Sequence, residues 1–293
     1  MKKRPATFLL SCLILAMALL PVAAHADTGP KPSVRITFEN MGQEPCYGTL
    51  LSKSASTGPS RAWDGDAAHA ARHEGEEDYE IWEAFAQYED PDGFYFLQEW
   101  WACSENHALN WTYYPPETFK ILLYYPDSGR FAVSGIYERY AFDSYYTVDL
   151  GQAEAQQVTL TAERSYDYTW ELISLLCRVV ITILLELAIA LAFGFREKKL
   201  FSLIVWINIA TQVILNVALN VIGYRHGSYA FVAYYILFEI AVFVIEAILY
   251  ALLFNRVGRT RISKAKSTAY ALIANVCSFA AGFLIARVIP GIF

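Results

Sequence analysis

The chain has 293 residues, 55% of them hydrophobic, and a formal net charge of −6 at pH 7. The charge is unevenly distributed, because residues 27–168 hold 9 Lys plus Arg against 24 Asp plus Glu, a net charge of −15. Such an acidic segment argues against nucleic acid and against anionic lipid headgroups as its partners.

The N-terminus has the features of a secretory signal. Three basic residues at positions 2–4 precede an apolar run over 8–20, and residues 24–26, Ala-His-Ala, form a small-x-small cleavage site. We therefore expect residues 1–26 to be a signal peptide that is removed before Asp27. An uncleaved membrane anchor is the alternative, although the apolar run is short for a span. Under the first interpretation, residues 27–168 are extracytoplasmic.

Alternating apolar and polar residues predict that this exported segment is rich in β-strands. Val34, Ile36 and Phe38 alternate with polar residues, which is typical of a strand with one buried face. Residues 119–125 and 130–134 flank the turn-forming sequence Pro-Asp-Ser-Gly and predict a hairpin. Further strand candidates are 94–101, 140–150 and 158–160. One helix is predicted over 81–88, where Ile81, Trp82, Phe85 and Tyr88 recur at helical spacing. A β-sandwich with one helical insertion is the most economical fold.

Two histidines in the exported segment are candidate metal ligands. His69 and His73 are four residues apart, so one face of a helix would bring their imidazoles together. The residues between them are Ala, Ala and Arg, which lack the glutamate of a zinc-protease helix. The alternative to a metal site is a solvated acidic loop.

Cysteines are few in the exported segment. Cys46 and Cys103 could form one disulfide, since export places them in an oxidising compartment. Two buried thiols are the alternative. We find no serine elbow, phosphate-binding loop or paired Cys-x-x-Cys motif, so neither a catalytic constellation nor a cofactor is expected.

The C-terminal part, residues 169–293, contains four apolar segments that are each long enough to cross a bilayer. They are residues 172–195, 200–223, 229–254 and 268–289. The connecting segments 196–199 and 255–267 are rich in Lys and Arg, whereas 224–228 has a single Arg, so the positive-inside rule places the first two in the cytoplasm. The sequence therefore predicts a four-helix transmembrane bundle in the cytoplasmic membrane, with the C-terminus outside.

Polar residues recur within these segments at steps of four and seven, which keep side chains near one helix face. Ionisable groups at membrane depth are costly and usually face a partner or a hydrated cavity, so they are the candidate functional site. The site hypothesis comprises Arg178, Glu186, Asn208, Gln212, Asn216, Glu239 and Glu246. We expect Arg178 to face Asn216, Asn220 or a lumen.

Two interpretations of these polar stripes compete. Amides and small residues can stabilise helix packing through interhelical hydrogen bonds. Three glutamates with one arginine instead favour a proton- or cation-linked site, or a site for a basic residue of another subunit.

Three functions follow for a multi-pass membrane protein of this kind. The first is a scaffold, sensor or accessory subunit of a membrane complex, in which the exported domain binds something outside. The second is an ion- or proton-linked transporter or channel component that uses the intramembrane glutamates. An intramembrane enzyme ranks last. Membrane lipid, protein partners or further copies of the chain are the expected partners.

Overall fold

The computed structural model describes residues 29–65, 78–151 and 159–288, and it divides into two compact units. The first unit comprises Pro30–Tyr166 and is rich in β-strands, and the helical unit begins at Asp167. A β-rich N-terminal part and a helical C-terminal part are therefore confirmed. The predicted signal peptide, His69 and His73 lie outside the described residues.

The described residues of the β-rich unit form two main sheets. Strands β1 (Ser33–Glu39), β6 (Ala108–Trp111), β10 (Asp143–Asp149) and β11 (Ala162–Arg164) form the first sheet, in the order β11-β10-β1-β6. Strands β2 (Tyr47–Ser52), β5 (Trp101–Ala102), β7 (Thr118–Tyr125), β8 (Arg130–Val133) and β9 (Tyr137–Glu138) form the second. In the first sheet β1 pairs with β10 in parallel, and the other two pairings are antiparallel. Strands β3 (Ser56–Thr57) and β4 (Ser60–Arg61) form a separate small hairpin.

The two sheets share one hydrophobic core. Alternate residues of β1, among them Ile36 and Phe38, pack in the same cluster as Phe119, Ile121 and Leu123 of β7. This alternation follows from the two-residue period of a strand, which places every second side chain on the same face.

The second sheet is buried on its other face as well, because helix α1 (Tyr79–Ala86) packs there. Trp82 and Phe85 of this helix share a cluster with Leu51 of β2 and Leu122 of β7. The predicted helix and the predicted β7–β8 hairpin are both present. A four-residue helix α2 (Cys103–Asn106) follows β5.

Three predicted strands differ in extent from the observed ones. In segment 94–101 only Tyr95 forms an isolated bridge and Trp101 begins β5, because Gln98 has a φ of 63°, which breaks an extended strand. Strand β10 begins at Asp143 rather than 140, since the hydroxyl of Ser144 accepts backbone N–H bonds that close a turn. Leu160 forms a single bridge, and Val158 lies outside the described residues.

Within residues 167–288, the helical unit contains three long helices, α3 (Thr169–Ala192), α4 (Lys198–Val257) and α5 (Lys264–Val288). Within α4, Gly227 has φ 80° and ψ −177°, so two helical segments, 198–226 and 228–257, meet there. Glycine suits this position because a positive φ is strained for other residues. Helices α3 and α4 are long and apolar enough to cross a membrane by length and composition.

The helical unit has polar side chains inside and apolar side chains outside. On α3, Arg178 and Glu186 are buried, whereas Leu176, Val180 and Leu184 are each more than half exposed. A protein in water would show the reverse arrangement, since exposing large apolar side chains to water is unfavourable. The apolar exterior is consistent with association with a membrane.

Candidate functional site

Two buried glutamates from different helical segments meet in the helical unit. Glu186 lies on α3 and Glu246 on the second segment of α4, and both side chains are fully buried. Each carboxyl interacts with the other. We call Glu186 and Glu246 the carboxyl pair.

Uncharged donors surround Glu186. Its Oε2 accepts hydrogen bonds from Nδ2 of Asn208 at 2.7 Å and from the hydroxyls of Tyr250 and Tyr270, each at 3.1 Å. These donors come from both segments of α4 and from α5, so the interaction connects helices that are distant in sequence.

Glu246 is held in a similar way. The hydroxyl of Thr211 donates to its Oε1 and Nδ2 of Asn275 to its Oε2, both at 2.7 Å. Within the part of the chain that the structure describes, neither carboxyl of the pair forms a salt bridge. Two adjacent carboxylates with only neutral donors repel each other strongly in such a buried site.

Two acceptor atoms at this site have no hydrogen-bond donor. Oε1 of Glu186 and Oδ1 of Asn208 are both buried, and no hydrogen bond reaches either of them within the described residues. An unsatisfied buried acceptor costs about 1–3 kcal/mol. A proton on Glu246 would supply the donor that Glu186 lacks and would remove one of the two negative charges.

Arg178 and Glu239 belong to a second polar cluster. The guanidinium of Arg178 lies 5.5 Å from the ring centroid of Tyr235 and 5.9 Å from that of Phe231. Tyr235 hydrogen-bonds to Glu239, which also interacts electrostatically with Arg178. Arg178 therefore has a glutamate and two aromatic rings as partners, whereas the sequence led us to expect Asn216 or Asn220.

Gln212 and Asn216 make their hydrogen bonds along one helix. Nδ2 of Asn216 donates to the backbone carbonyl of Gln212 at 2.8 Å. Both side chains are buried. The structure thus unites Glu186, Asn208 and Glu246 of the sequence-based site. It places Arg178 with Glu239 in a second cluster, which interacts electrostatically with Glu246.

Several donors to the carboxyl pair were not predicted from the sequence. Tyr270 is near the end of an apolar segment, where aromatic residues often mark the membrane surface, yet it is fully buried and donates to Glu186. Thr211 is next to Gln212 and lies outside the steps of four and seven that connect the other polar residues. Asn275 was recognisable as a polar residue within the last apolar segment, but its hydrogen bond to Glu246 was not predictable from the sequence.

Cys46 and Cys103 are close to each other in the β-rich unit. Both thiols are free and buried, and the backbone N–H of Cys103 donates to the carbonyl of Cys46 at 2.8 Å. Burial raises the pKa of Cys46 to about 12, and burial likewise raises the pKa of Cys103. Neither thiol is therefore a ready nucleophile at neutral pH. Their pairing under oxidising conditions stays a prediction.

Metal ligands do not cluster in the part of the chain that is described. Within residues 29–65, 78–151 and 159–288, no group of three or more His, Cys, Asp or Glu side chains is arranged to hold a metal ion. The proposed ligands His69 and His73 are not among these residues. Compared with known protein families, curated proteins and solved structures, the chain shows no significant match to any of them.

Proposed function

We propose that the protein is a multi-pass membrane sensor or accessory subunit, in which the carboxyl pair binds and releases a proton and the exported β-rich domain engages a partner outside. The observation that carries this proposal is the meeting of Glu186 and Glu246 among neutral donors. Buried carboxyls that approach each other titrate as a pair and respond to a change in proton concentration. Ionisable residues inside a membrane are functional candidates by default.

The proposed topology has four spans, which are α3, the two segments of α4 and α5. Its support is the position of the basic connections. Glu197, between α3 and α4, accepts hydrogen bonds from the backbone N–H groups of Arg259 and Thr260 at 2.7 and 2.9 Å. The two Lys- and Arg-rich connections therefore lie side by side, as two loops on one face of a membrane would. The segment around Gly227, at the opposite end of both α4 segments, carries fewer basic residues.

The topology can be tested with reporter fusions. A reporter that is active only in the cytoplasm should be silent when it is attached after Phe293 and active when it is inserted between α4 and α5. An exported reporter should show the opposite pattern. A cytoplasmic signal after Phe293 would contradict the four-span arrangement.

The exported domain is expected to fold by itself. Residues 27–168 include both sheets and helix α1, and these elements have their own hydrophobic clusters. We expect a fragment of these residues to be soluble in the oxidising compartment and to give a circular dichroism spectrum dominated by β-structure. A fragment that aggregates or is unfolded would show that the helical unit is needed for folding.

An ion- or proton-linked transport component is the second candidate. This function requires that the carboxyl pair is accessible first from one side of the membrane and then from the other during a transport cycle. Four spans are few for a complete secondary transporter, so an oligomer would be needed. Reconstitution in vesicles with a pH-sensitive dye would separate the two candidates, because a sensor leaves the internal pH unchanged.

A further inference from the structure

A cleft in the β-rich unit is independent of the carboxyl pair. Its volume is about 280 Å³, close to the lower limit for small-molecule sites. The end of β2, the small β3–β4 hairpin and the segment before β7 form its walls. The cleft is therefore the right size for a molecule no larger than a simple sugar or metabolite.

The walls of the cleft are fixed by the local backbone. Tyr114 has a φ of 50°, an uncommon conformation for a residue with a side chain, and Pro115 and Pro116 follow it. Gly58 packs so closely that an added Cβ would lie 2.6 Å from Tyr114. The hydroxyl of Thr57 also donates to the Tyr114 carbonyl at 2.9 Å. A preformed site of this kind loses little conformational entropy when a ligand binds.

The cleft is basic although the exported segment is acidic. Lys53 and Arg139 both line it, with Glu117 as the acidic residue among the lining side chains. Nε of Arg139 is buried and has no hydrogen-bond partner within the described residues. The Arg139 side chain as a whole is half-buried and lines the cleft, and its guanidinium is a hydrogen-bond donor only, so it suits an anionic group.

Hydroxyl groups make up much of the remaining lining. Ser52, Ser54, Ser56, Thr57 and Thr118 all contribute to the walls. Hydroxyls both donate and accept hydrogen bonds, so they match the hydroxyls of a polyol. The three lining prolines add rigid apolar surface.

We propose that this cleft binds a small polyhydroxylated anion, a sugar acid or a sugar phosphate, whose acidic group pairs with Arg139. Lys53 adds to the local positive charge, with its Nζ 5.0 Å from the centroid of the Phe94 ring. The net charge of −15 over residues 27–168 disfavours large polyanions, and it leaves a single small anion as the ligand that the local basic pair accommodates.

The experiment is a calorimetric titration of the full-length protein in detergent with glucuronate, glucose 6-phosphate and glucose. We expect saturable binding of at least one of the two sugar anions and weaker binding of glucose. Binding of glucuronate alone assigns a carboxylate ligand, and binding of glucose 6-phosphate alone assigns a phosphate ligand. If neither anion binds, or if glucose binds equally well, the proposal is overturned.

Substitutions of the charged lining residues test which of them contribute to the affinity for the sugar anion. Arg139→Gln should weaken binding of the sugar anion by about tenfold or more, the loss expected for a charge-assisted hydrogen bond. Lys53→Gln, on an exposed side chain, should weaken it less, and Glu117→Gln should strengthen it. Arg35→Gln is the matched control, because Arg35 is exposed and lies on β1 outside the cleft. If Arg139→Gln disturbs folding, the Lys53 and Glu117 variants still decide the result, and equal affinities in all variants would exclude this cleft as the site.

Discussion

Replacing Glu186 or Glu246 with glutamine is expected to abolish the sharing of a proton between the two carboxyls while the protein still inserts and folds. Glutamine has nearly the same shape, and its oxygen can accept the hydrogen bonds that Asn208 and Tyr270 now donate to Glu186. Each substitution leaves a single acid next to an amide donor, so no proton needs to be shared. In a strain that depends on the protein, either variant should fail to complement a deletion.

Infrared difference spectroscopy measures the proton directly. The wild-type protein should show a protonated carboxyl band that changes with pH. Both Glu186→Gln and Glu246→Gln should alter this band, because each variant removes one carboxyl of the pair and leaves the other next to an amide. Glu239→Gln is the comparison within the helices, because Glu239 lies in the second cluster with Tyr235 and Arg178, and its loss should leave the band of the pair in place. A band that disappears only in the Glu239 variant would disprove the assignment to the pair.

The helix-packing interpretation makes the opposite prediction. If the polar stripes serve only to hold helices together, Gln212→Leu or Asn216→Leu should disrupt assembly, and the two glutamine variants should be mild. Size-exclusion chromatography of the four variants in detergent, together with complementation, distinguishes the two outcomes. Full complementation by both glutamine variants would leave packing as the role of the pair.

Lys120→Met is expected to lower the free energy of unfolding of the β-rich unit by about 3–5 kcal/mol, the cost of leaving a buried charge without its partner. Nζ of Lys120 donates to both carboxylate oxygens of Asp90, at 2.9 and 2.8 Å, and to Asp92. The side chain of Asp90 is 0% exposed, so the substitution leaves its carboxylate in the protein interior without a counter-charge. Methionine preserves most of the apolar volume of lysine, which limits the effect to the lost charge.

Denaturant unfolding of the full-length protein, followed by tryptophan fluorescence, would measure this loss. Five of the seven tryptophans lie within residues 27–168, so the signal reports mainly on the β-rich unit. Asp92→Asn is the matched control. Its side chain is 59% exposed, and an exposed ion pair contributes only about 0–1 kcal/mol. Equal losses for both variants would contradict the buried role of Asp90.

The same ion pairs predict how stability depends on pH. Burial opposes the charge of Lys120, but its hydrogen bonds to Asp90 and Asp92 outweigh this effect and raise its pKa, whereas Lys120 lowers the pKa of Asp92. The stabilisation from Asp92 is thus lost as the pH falls through its folded-state pKa. The stabilisation from Lys120 is lost as the pH rises through its own. The free energy of unfolding should therefore be highest around neutral pH, and this contribution to its pH dependence should be lost in Lys120→Met.

Local sequence patterns were sufficient to predict a strand or helix whose structure depends mainly on its own residues. The alternation of Val34, Ile36 and Phe38 predicted β1, and the helical spacing of Trp82 and Phe85 predicted α1. Segment 94–101 was less predictable, because its aromatic residues fit a strand but the positive φ of Gln98 places them in an irregular buried segment against α1. Packing across the chain, rather than local preference, decides such a case.

In the candidate site, too, local sequence patterns did not predict which residues are in contact. Glu239 and Glu246 lie on one helical face in the sequence, yet seven residues correspond to a rise of about 10 Å, which is enough for separate partners. The rotation of each helix about its axis then decided that Glu246 meets Glu186, Thr211 and Asn275, while Glu239 meets Tyr235.

By itself, the sequence determined that an acidic β-rich part precedes a helical part with polar residues on its helix faces, because composition and periodicity are local properties. Only the tertiary structure decided that Glu186 and Glu246 are adjacent, that Tyr270 donates to Glu186, and that Arg139 lines a cleft. These contacts join residues 60 and 84 positions apart, or separate strands and loops, and no local pattern encodes the packing that brings them together.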